Sequence, residues 1–441
     1  MSLSFLAGRP RVVRLAILVG LALAGCGSPP REAAPAPAGP TPAGTGGLNR
    51  PEYQDRPYVV LVSIDGFRAD YLDTIDLPHL RRVAQRGARA QALVPVFPTV
   101  TFPNHYSLVT GLRPERHGIV ANTFYDPARG QTYSMSDGAA VTDGSWYRGE
   151  PIWVTAELQG MVAACFFWPG SEAAIKGVRP TLWKPYRAST PNEERVDGVL
   201  DWLRLPSHQR PHVVTLYFSE LDAVSHREPM QSPAIATAAH SIDRVIGRLM
   251  AGIDTLPIRD RVYVLLTSDH GMVETGVSQT IRLDSLLDPS KLRAFFGGPV
   301  AHLHVNDGAA GARAVRDEIN ARLEHGRAYL RDDLPAHLSY RADPRIGDVV
   351  VLMDEPWMLA TSPGTARNTD RWGMHGWDAT LPSMRALFLV TGPGIRAGLT
   401  VPDVQNVDVY PFMAELLGLR IPADLDGRPG HLRALVWAAG E

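Results

Sequence analysis

Three short runs rich in β-branched residues each lead into an aspartate. Tyr58-Val-Val-Leu-Val-Ser-Ile precedes Asp65, His212-Val-Val-Thr-Leu-Tyr-Phe-Ser-Glu-Leu precedes Asp222, and Arg261-Val-Tyr-Val-Leu-Leu-Thr-Ser precedes Asp269. Apolar runs of this length bounded by polar residues predict buried strands. In a parallel α/β sheet the C-terminal strand ends share one edge, and ligands bind in the crevice there. The three carboxylates are therefore expected to converge. His226 follows Asp222 at i+4, His270 follows Asp269 directly, and His375 lies in the stretch Trp372-Gly-Met-His-Gly-Trp377. Oxygen and imidazole ligands in that number suffice for two zinc-type ions.

A chain of 441 residues that is 45% hydrophobic and 20% charged can bury a large α/β core. Its formal net charge of -2, with acidic and basic residues interleaved, gives no electrostatic case for nucleic acid. No nucleic-acid binding is expected.

Residues 1–25 read as an export signal: Arg9, Arg11 and Arg14 precede an apolar run from Leu15 to Ala24 that is too short to span a bilayer. Leu23-Ala-Gly-Cys26 resembles the lipobox of bacterial lipoproteins. That implies lipid on Cys26 and attachment to a bacterial membrane in the cell envelope, on its periplasmic or outer-membrane face; an ordinary signal peptide is the alternative. Residues 26–52 are dominated by Pro, Ala, Gly and Thr and read as a tether, leaving 53–441 as the folded domain. Only Cys165 then remains, inside the apolar Met161-Val-Ala-Ala-Cys-Phe-Phe167, and is expected to be a packed, unreactive thiol.

From Tyr58 onward short strands alternate with helical patterns, the order of a doubly wound sheet covered on both faces. Helices are predicted over 78–89, ending at Gly87 or shortly after, over 191–203 and over 233–250, and a further buried strand over 385–391. Between about 300 and 353 the pattern changes to a βαβ-type excursion, read as a small inserted α+β lobe.

A nucleophile candidate lies in Pro98-Thr99-Val100-Thr101-Phe102-Pro103-Asn104-His105. Thr101 is expected to cap a helix with proline in its first turn, where free N–H groups and positive partial charge suit a phosphoryl group. A plain capping role explains a lone Thr-x-Pro equally well, and Thr99 offers the same hydroxyl.

Taken together, several stretches resemble the nucleotide pyrophosphatase/phosphodiesterase family of the alkaline phosphatase superfamily. They include Val62-Ser-Ile-Asp-Gly-Phe-Arg68, Thr101-Phe-Pro-Asn-His-Tyr-Ser-Leu-Val-Thr-Gly111, His117-Gly-Ile-Val-Ala-Asn122 and Trp168-Pro-Gly-Ser171. Thr267-Ser-Asp-His-Gly-Met272, Met374-His-Gly376, the run from Tyr329 to His337 and Pro344-Arg-Ile-Gly-Asp348 complete the set. The resemblance runs from about residue 57 to near the C-terminus. It implies an alkaline phosphatase-like α/β/α sandwich with a mixed, largely parallel central sheet.

The resemblance also implies roles. Asp65, Asp269 and His270 would hold one Zn2+ with Thr101 as a further ligand, and Asp222, His226 and His375 a second. Thr101 would be the nucleophile, passing through a phosphothreonine. Asn122 would donate its amide to a phosphate oxygen, a task suited to a neutral, directional donor. Phe102 and Tyr186 would contact a nucleobase or another apolar leaving portion. The implied activity is hydrolysis of phosphodiester or pyrophosphate bonds in nucleotides or related small molecules.

A phosphomonoesterase on the same bimetal core is the enzyme alternative, requiring an added cation. A catalytically silent ligand-binding surface lipoprotein is the other, and it predicts gaps in the ligand set. The chain departs from the family at Ser225, where a glycine usually precedes the ligand histidine, and in the Arg-Glu-Pro-Met that follows His226. Serine accepts positive φ less readily than glycine, which puts that loop's course in question. His105 and His117 are expected to be structural hydrogen-bonding residues, and His302 and His304 a strand pair.

Overall fold

The computed structural model describes residues 46–360 and 369–436. Residues 1–25 and the proposed lipidation site Cys26 lie outside the described residues. The central sheet comprises β1 (Tyr58–Ile64), β2 (Ala88–Ala90), β3 (Ala163–Phe166), β4 (Leu182–Lys184), β5 (Val213–Phe218), β6 (Val262–Thr267), β7 (Phe388–Thr391) and β8 (Leu399–Val401). Their spatial order is β8-β2-β7-β6-β1-β5-β3-β4. Only β7 runs against its neighbours, so the sheet is mixed and largely parallel, as expected.

Every residue of β1, β3 and β5 is buried, because helices cover both faces of the sheet. Helices Pro78–Arg86, Asn192–Arg204 and Pro233–Asp254 pack together in one layer, while Thr101–Thr110, Ile152–Gln159 and Val409–Leu417 form another. Cys165 is buried in β3, and burial raises its thiol pKa far above the usual range. The first of these helices ends at Arg86 with Gly87 as its C-cap, at the near end of the predicted range. A side chain at Gly87 would meet the Val390 carbonyl, and the next three residues pair with β7 and β8.

The smaller unit is an antiparallel sheet of Leu292–Phe296, Val300–Val305, Val349–Met353 and Gly326–Leu330, in that spatial order, backed by helix Gly308–Asn320. The two strands expected to flank the helix, Val300–Val305 and Val349–Met353, are direct but antiparallel neighbours, and the helix leads instead into Gly326–Leu330, a strand the sequence pattern does not show. The lobe's apolar core reaches back to Leu283 and forward to Leu359, wider than 300–353. At the N-terminal side, the stretch read as tether docks earlier than its composition suggests. Buried Asn49 donates to the Ser207 and Arg210 carbonyls and accepts from Val162 N–H, at 2.7–2.9 Å.

One buried arginine fastens the lobe to the main body. Arg345 bonds Asp126 through two guanidinium nitrogens at 2.8 and 2.9 Å, and its Nη1 donates to the Gly118 and Trp146 carbonyls. Burial alone would raise the Asp126 carboxyl, but the guanidinium outweighs it and holds the group below its usual range. Beside it Tyr340 donates to the Val120 carbonyl. Removing one member of a buried pair strands the other charge, at a cost of about 3–5 kcal/mol. Arg345→Met is therefore expected to lower unfolding stability by about that amount, measured by denaturant titration; an unchanged midpoint would show that this pair does not hold the lobe.

Candidate functional site

Strands β6, β1 and β5 are neighbours in register, with Ser63 opposite Thr267 and Ile64 opposite Phe218. Asp65 follows β1 and Asp269 lies just past β6, while Asp222 stands on the short helix Glu220–Ser225 after β5. The three carboxylates meet at one sheet edge, as the strand-end pattern predicts. Gly66, at φ +69°, makes the approach possible: a Cβ there would stand 3.1 Å from the Asp222 Cβ.

The ligand candidates form two groups, Asp65–Asp269–His270 and Asp222–His226–His375, and within each group the ligand atoms lie within 4.8 Å of one another. In the first, His270 Nε2 is 3.0 Å from Asp269 Oδ2 and 3.5 Å from Asp65 Oδ1. In the second, Asp222 Oδ1 lies 3.3 Å from His226 Nε2 and 3.6 Å from His375 Nε2, and the two imidazole nitrogens are 3.1 Å apart. The groups share a wall, because the His270 and His375 rings stack at 3.6 Å.

A cation fits this arrangement on three grounds. Asp65 Oδ1, Asp222 Oδ1, Asp269 Oδ2 and His270 Nε2 are buried polar atoms without a hydrogen-bond partner among the described residues, each in its ligand group. The three imidazoles are set by backbone carbonyls: His270 Nδ1 donates to Gly271 at 2.9 Å, His226 Nδ1 to Gly373 at 3.0 Å and His375 Nδ1 to Thr99 at 2.8 Å. With the proton on Nδ1, each Nε2 presents a lone pair to the site. Electrostatics agree, since burial and the neighbouring Asp269 and Asp222 push the Asp65 carboxyl well above its usual range. For Asp222, burial opposes ionisation, but His226 and His375 bring the carboxyl down to about 2.

Supporting groups occupy the outward-facing oxygens. Tyr217 donates to Asp65 Oδ2, and Asp269 Oδ1 accepts from Gly66 N–H at 3.1 Å. Sequence reasoning missed Tyr217, which reads as one more apolar residue of β5. The two candidate threonines differ in burial. Thr99 Oγ1 is fully buried, donates to the Trp377 carbonyl at 2.9 Å and accepts from Gly376 N–H at 3.0 Å. Together with its carbonyl on His375, it clamps the loop that carries that ligand.

Thr101 is half-buried and opens the helix Thr101–Thr110; Val100, in extended conformation, holds the capping position expected of Thr101. Asn122 Oδ1 accepts from Phe102 N–H at 2.9 Å, which leaves its two amide protons to face elsewhere. His105 ties this helix to the first ligand group, with Nδ1 2.9 Å from the Thr101 carbonyl and 3.4 Å from Asp269 Oδ2, and Nε2 2.8 Å from Ser63 Oγ. His117 bonds Ser107 at 3.0 Å, and both histidines are structural, as expected. Burial lowers the pKa of each.

Phe102 is half-buried beside Tyr133, and Tyr186, also half-buried, has its hydroxyl 3.2 Å from Ser219 Oγ. No ring contact joins the two among the described residues. Ser225 is helical and its hydroxyl donates to the Leu221 carbonyl at 2.8 Å, so the loop after it requires no positive φ from serine. His302 is buried and bonds Tyr340, while His304 faces Tyr125.

Residues 59–378 match the family described as type I phosphodiesterase / nucleotide pyrophosphatase. The chain is 37% identical over 392 residues to mouse ectonucleotide pyrophosphatase/phosphodiesterase family member 1, covering 87% of this chain and 43% of that protein. It is 37% identical over 389 residues to the venom phosphodiesterase of Macrovipera lebetinus, covering 86% and 45%. The chain thus spans less than half the length of these relatives. Murine ectonucleotide pyrophosphatase/phosphodiesterase 5 superposes with a TM-score of 0.80 at 29% identity, over 86% of this chain and 100% of that one. An inactive variant of that protein in complex with AMP gives 0.80 at 28%, over 87% and 100%. A match through the strand-end aspartates and the stacked histidines, shared fold included, makes this chain a member of the type I phosphodiesterase/nucleotide pyrophosphatase family.

Proposed function

We propose that this chain hydrolyses phosphodiester or pyrophosphate bonds in nucleotides or related small molecules, with two zinc ions and Thr101 as nucleophile. The observation that carries the reading is the pair of complete ligand groups beside a threonine at a helix N-terminus. A silent binding protein would be expected to lack ligands. A monoesterase would need an extra cation, and none of the residues assigned to the site supplies one.

Asp65, Asp269 and His270 would hold one zinc, and Asp222, His226 and His375 the other. When bound, such ions lower the pKa of a hydroxyl or water and offset charge on the phosphoryl group. The Thr101 oxygen attacks phosphorus, its proton passes to solvent, and the bond to the leaving oxygen breaks with its electron pair. Water then cleaves the phosphothreonine and returns the hydroxyl. The Asn122 amide, held by Phe102 N–H, donates to a non-bridging oxygen, while Phe102 and Tyr186 flank the leaving portion. The AMP complex of the murine structural neighbour supports a nucleotide as the kind of substrate. We also propose export through residues 1–25 and lipid anchoring at Cys26 in a bacterial cell envelope.

With bis(p-nitrophenyl) phosphate as substrate, Thr101→Ala is expected to reduce turnover by about 10³-fold or more. Asn122→Asp keeps the acceptor for Phe102 N–H but loses the amide donor, for a loss of about 10²–10³. Full activity in Thr101→Ala, or faster cleavage of p-nitrophenyl phosphate by the wild type, would sink this reading. Thr99→Val removes two bonds from the His375 loop and is expected to weaken zinc binding by about 10–100-fold in chelator competition. Thr99→Ser should restore most of that affinity; unchanged affinity in the valine variant would remove Thr99 from the account.

A further inference from the structure

A cavity of about 220 Å³ lies at the seam between the inserted lobe and the strand Thr123–Asp126, and no metal-ligand candidate lines it. Its walls include Tyr125, Arg293, His304, Asn306, Arg331 and Asp348. That volume is below the range of drug-sized pockets and suits a small ion or a single functional group.

The wall offers donors and acceptors on one ligand's scale. The Arg293 guanidinium lies 4.1 Å from the Tyr125 ring centroid, a stacking contact that leaves its N–H edge available. Arg331 contributes a second guanidinium, which among the described residues makes a long 3.4 Å contact to the Gly347 carbonyl and a 3.6 Å approach to exposed Asp332. Two such groups facing one cavity favour an oxyanion. Facing them are acceptors. Asp348 gives Oδ2 to Val305 N–H at 2.9 Å and remains a carboxylate on the cavity wall. The His304 ring bonds the Arg345 backbone, while its buried Nε2 has no partner. Burial and both arginines outweigh the neighbouring Asp348 and hold this imidazole below its usual pKa; in the neutral ring the proton belongs to the nitrogen that donates to the Arg345 backbone, which leaves a lone pair on Nε2.

An oxyanion with no proton, such as sulfate, satisfies the arginines but meets Asp348 and the bare Nε2 with acceptors alone. Hydrogen phosphate brings oxygens for the guanidiniums and an O–H for an acceptor. We propose that this seam is a binding site for inorganic phosphate in a protonated form, separate from the metal groups. A phosphate monoester loses its last proton near pH 6, so at pH 7.5 it lacks the O–H that the free ion retains.

Calorimetric titration of inorganic phosphate into the full chain, before and after chelation of its metals, tests the site. One binding event is expected to survive chelation, to be about tenfold or more tighter for phosphate than for sulfate or AMP at pH 7.5, and to weaken about tenfold or more in Arg293→Gln and Arg331→Gln. Arg293 is exposed, so its variant should retain the wild-type melting transition; Arg293→Glu, which reverses the charge, should abolish the event. Tighter AMP binding that is lost in the same variants would reassign the site to the phosphate end of a nucleotide. Loss of all binding on chelation, equal affinity for sulfate, or affinity unchanged in both arginine variants would overturn the proposal.

Discussion

The constraint on which the rest depends is the crowding of three carboxylates at one buried edge. Unit charges about 4 Å apart repel by about 4 kcal/mol at an effective dielectric of 20, and burial adds a desolvation cost to each. A fold that places Asp65, Asp222 and Asp269 together must supply compensation. Part of it is built in, through Tyr217 on Asp65, Gly66 N–H on Asp269 and the three histidines. The inward-facing atoms left without partners mark the part that a cation completes.

Much of this was legible because the signals are local. A buried parallel strand must be apolar along its length, so β1, β5 and β6 announce themselves, and the polar residues just past them fall at the ligand-binding edge. The i+4 spacing of Asp222 and His226 likewise survives as one helical turn. Short β2 could not be read, since Ala-Arg-Ala carries no strand pattern and is fixed by pairing with β7 and β8.

The less legible features depend on backbone groups or distant partners. The carbonyls of Gly271, Gly373 and Thr99 orient the histidines, and a carbonyl leaves no trace in residue identity. Thr99 and Thr101 share a hydroxyl and a neighbourhood in sequence, yet one is sealed under the His375 loop and the other opens a helix. Asn49 lies in a stretch whose composition speaks for disorder, but its amide finds three backbone partners in the domain. The departure at Ser225 demands no positive φ of serine, because that position is helical.

Arg345 grips the polypeptide on both sides of Asn122, at Gly118 before it and Asp126 after it. The lobe is therefore two surfaces with different evolutionary freedom. Its outer helix, Gly308–Asn320, buries Ala312, Val315 and Ile319 in the lobe's own core, so a change there acts first on that core. Its inner corner is a datum point from which the position of the Asn122 amide is measured. Diversification of such a scaffold, in nature or by recombination, has room on the first surface and little on the second.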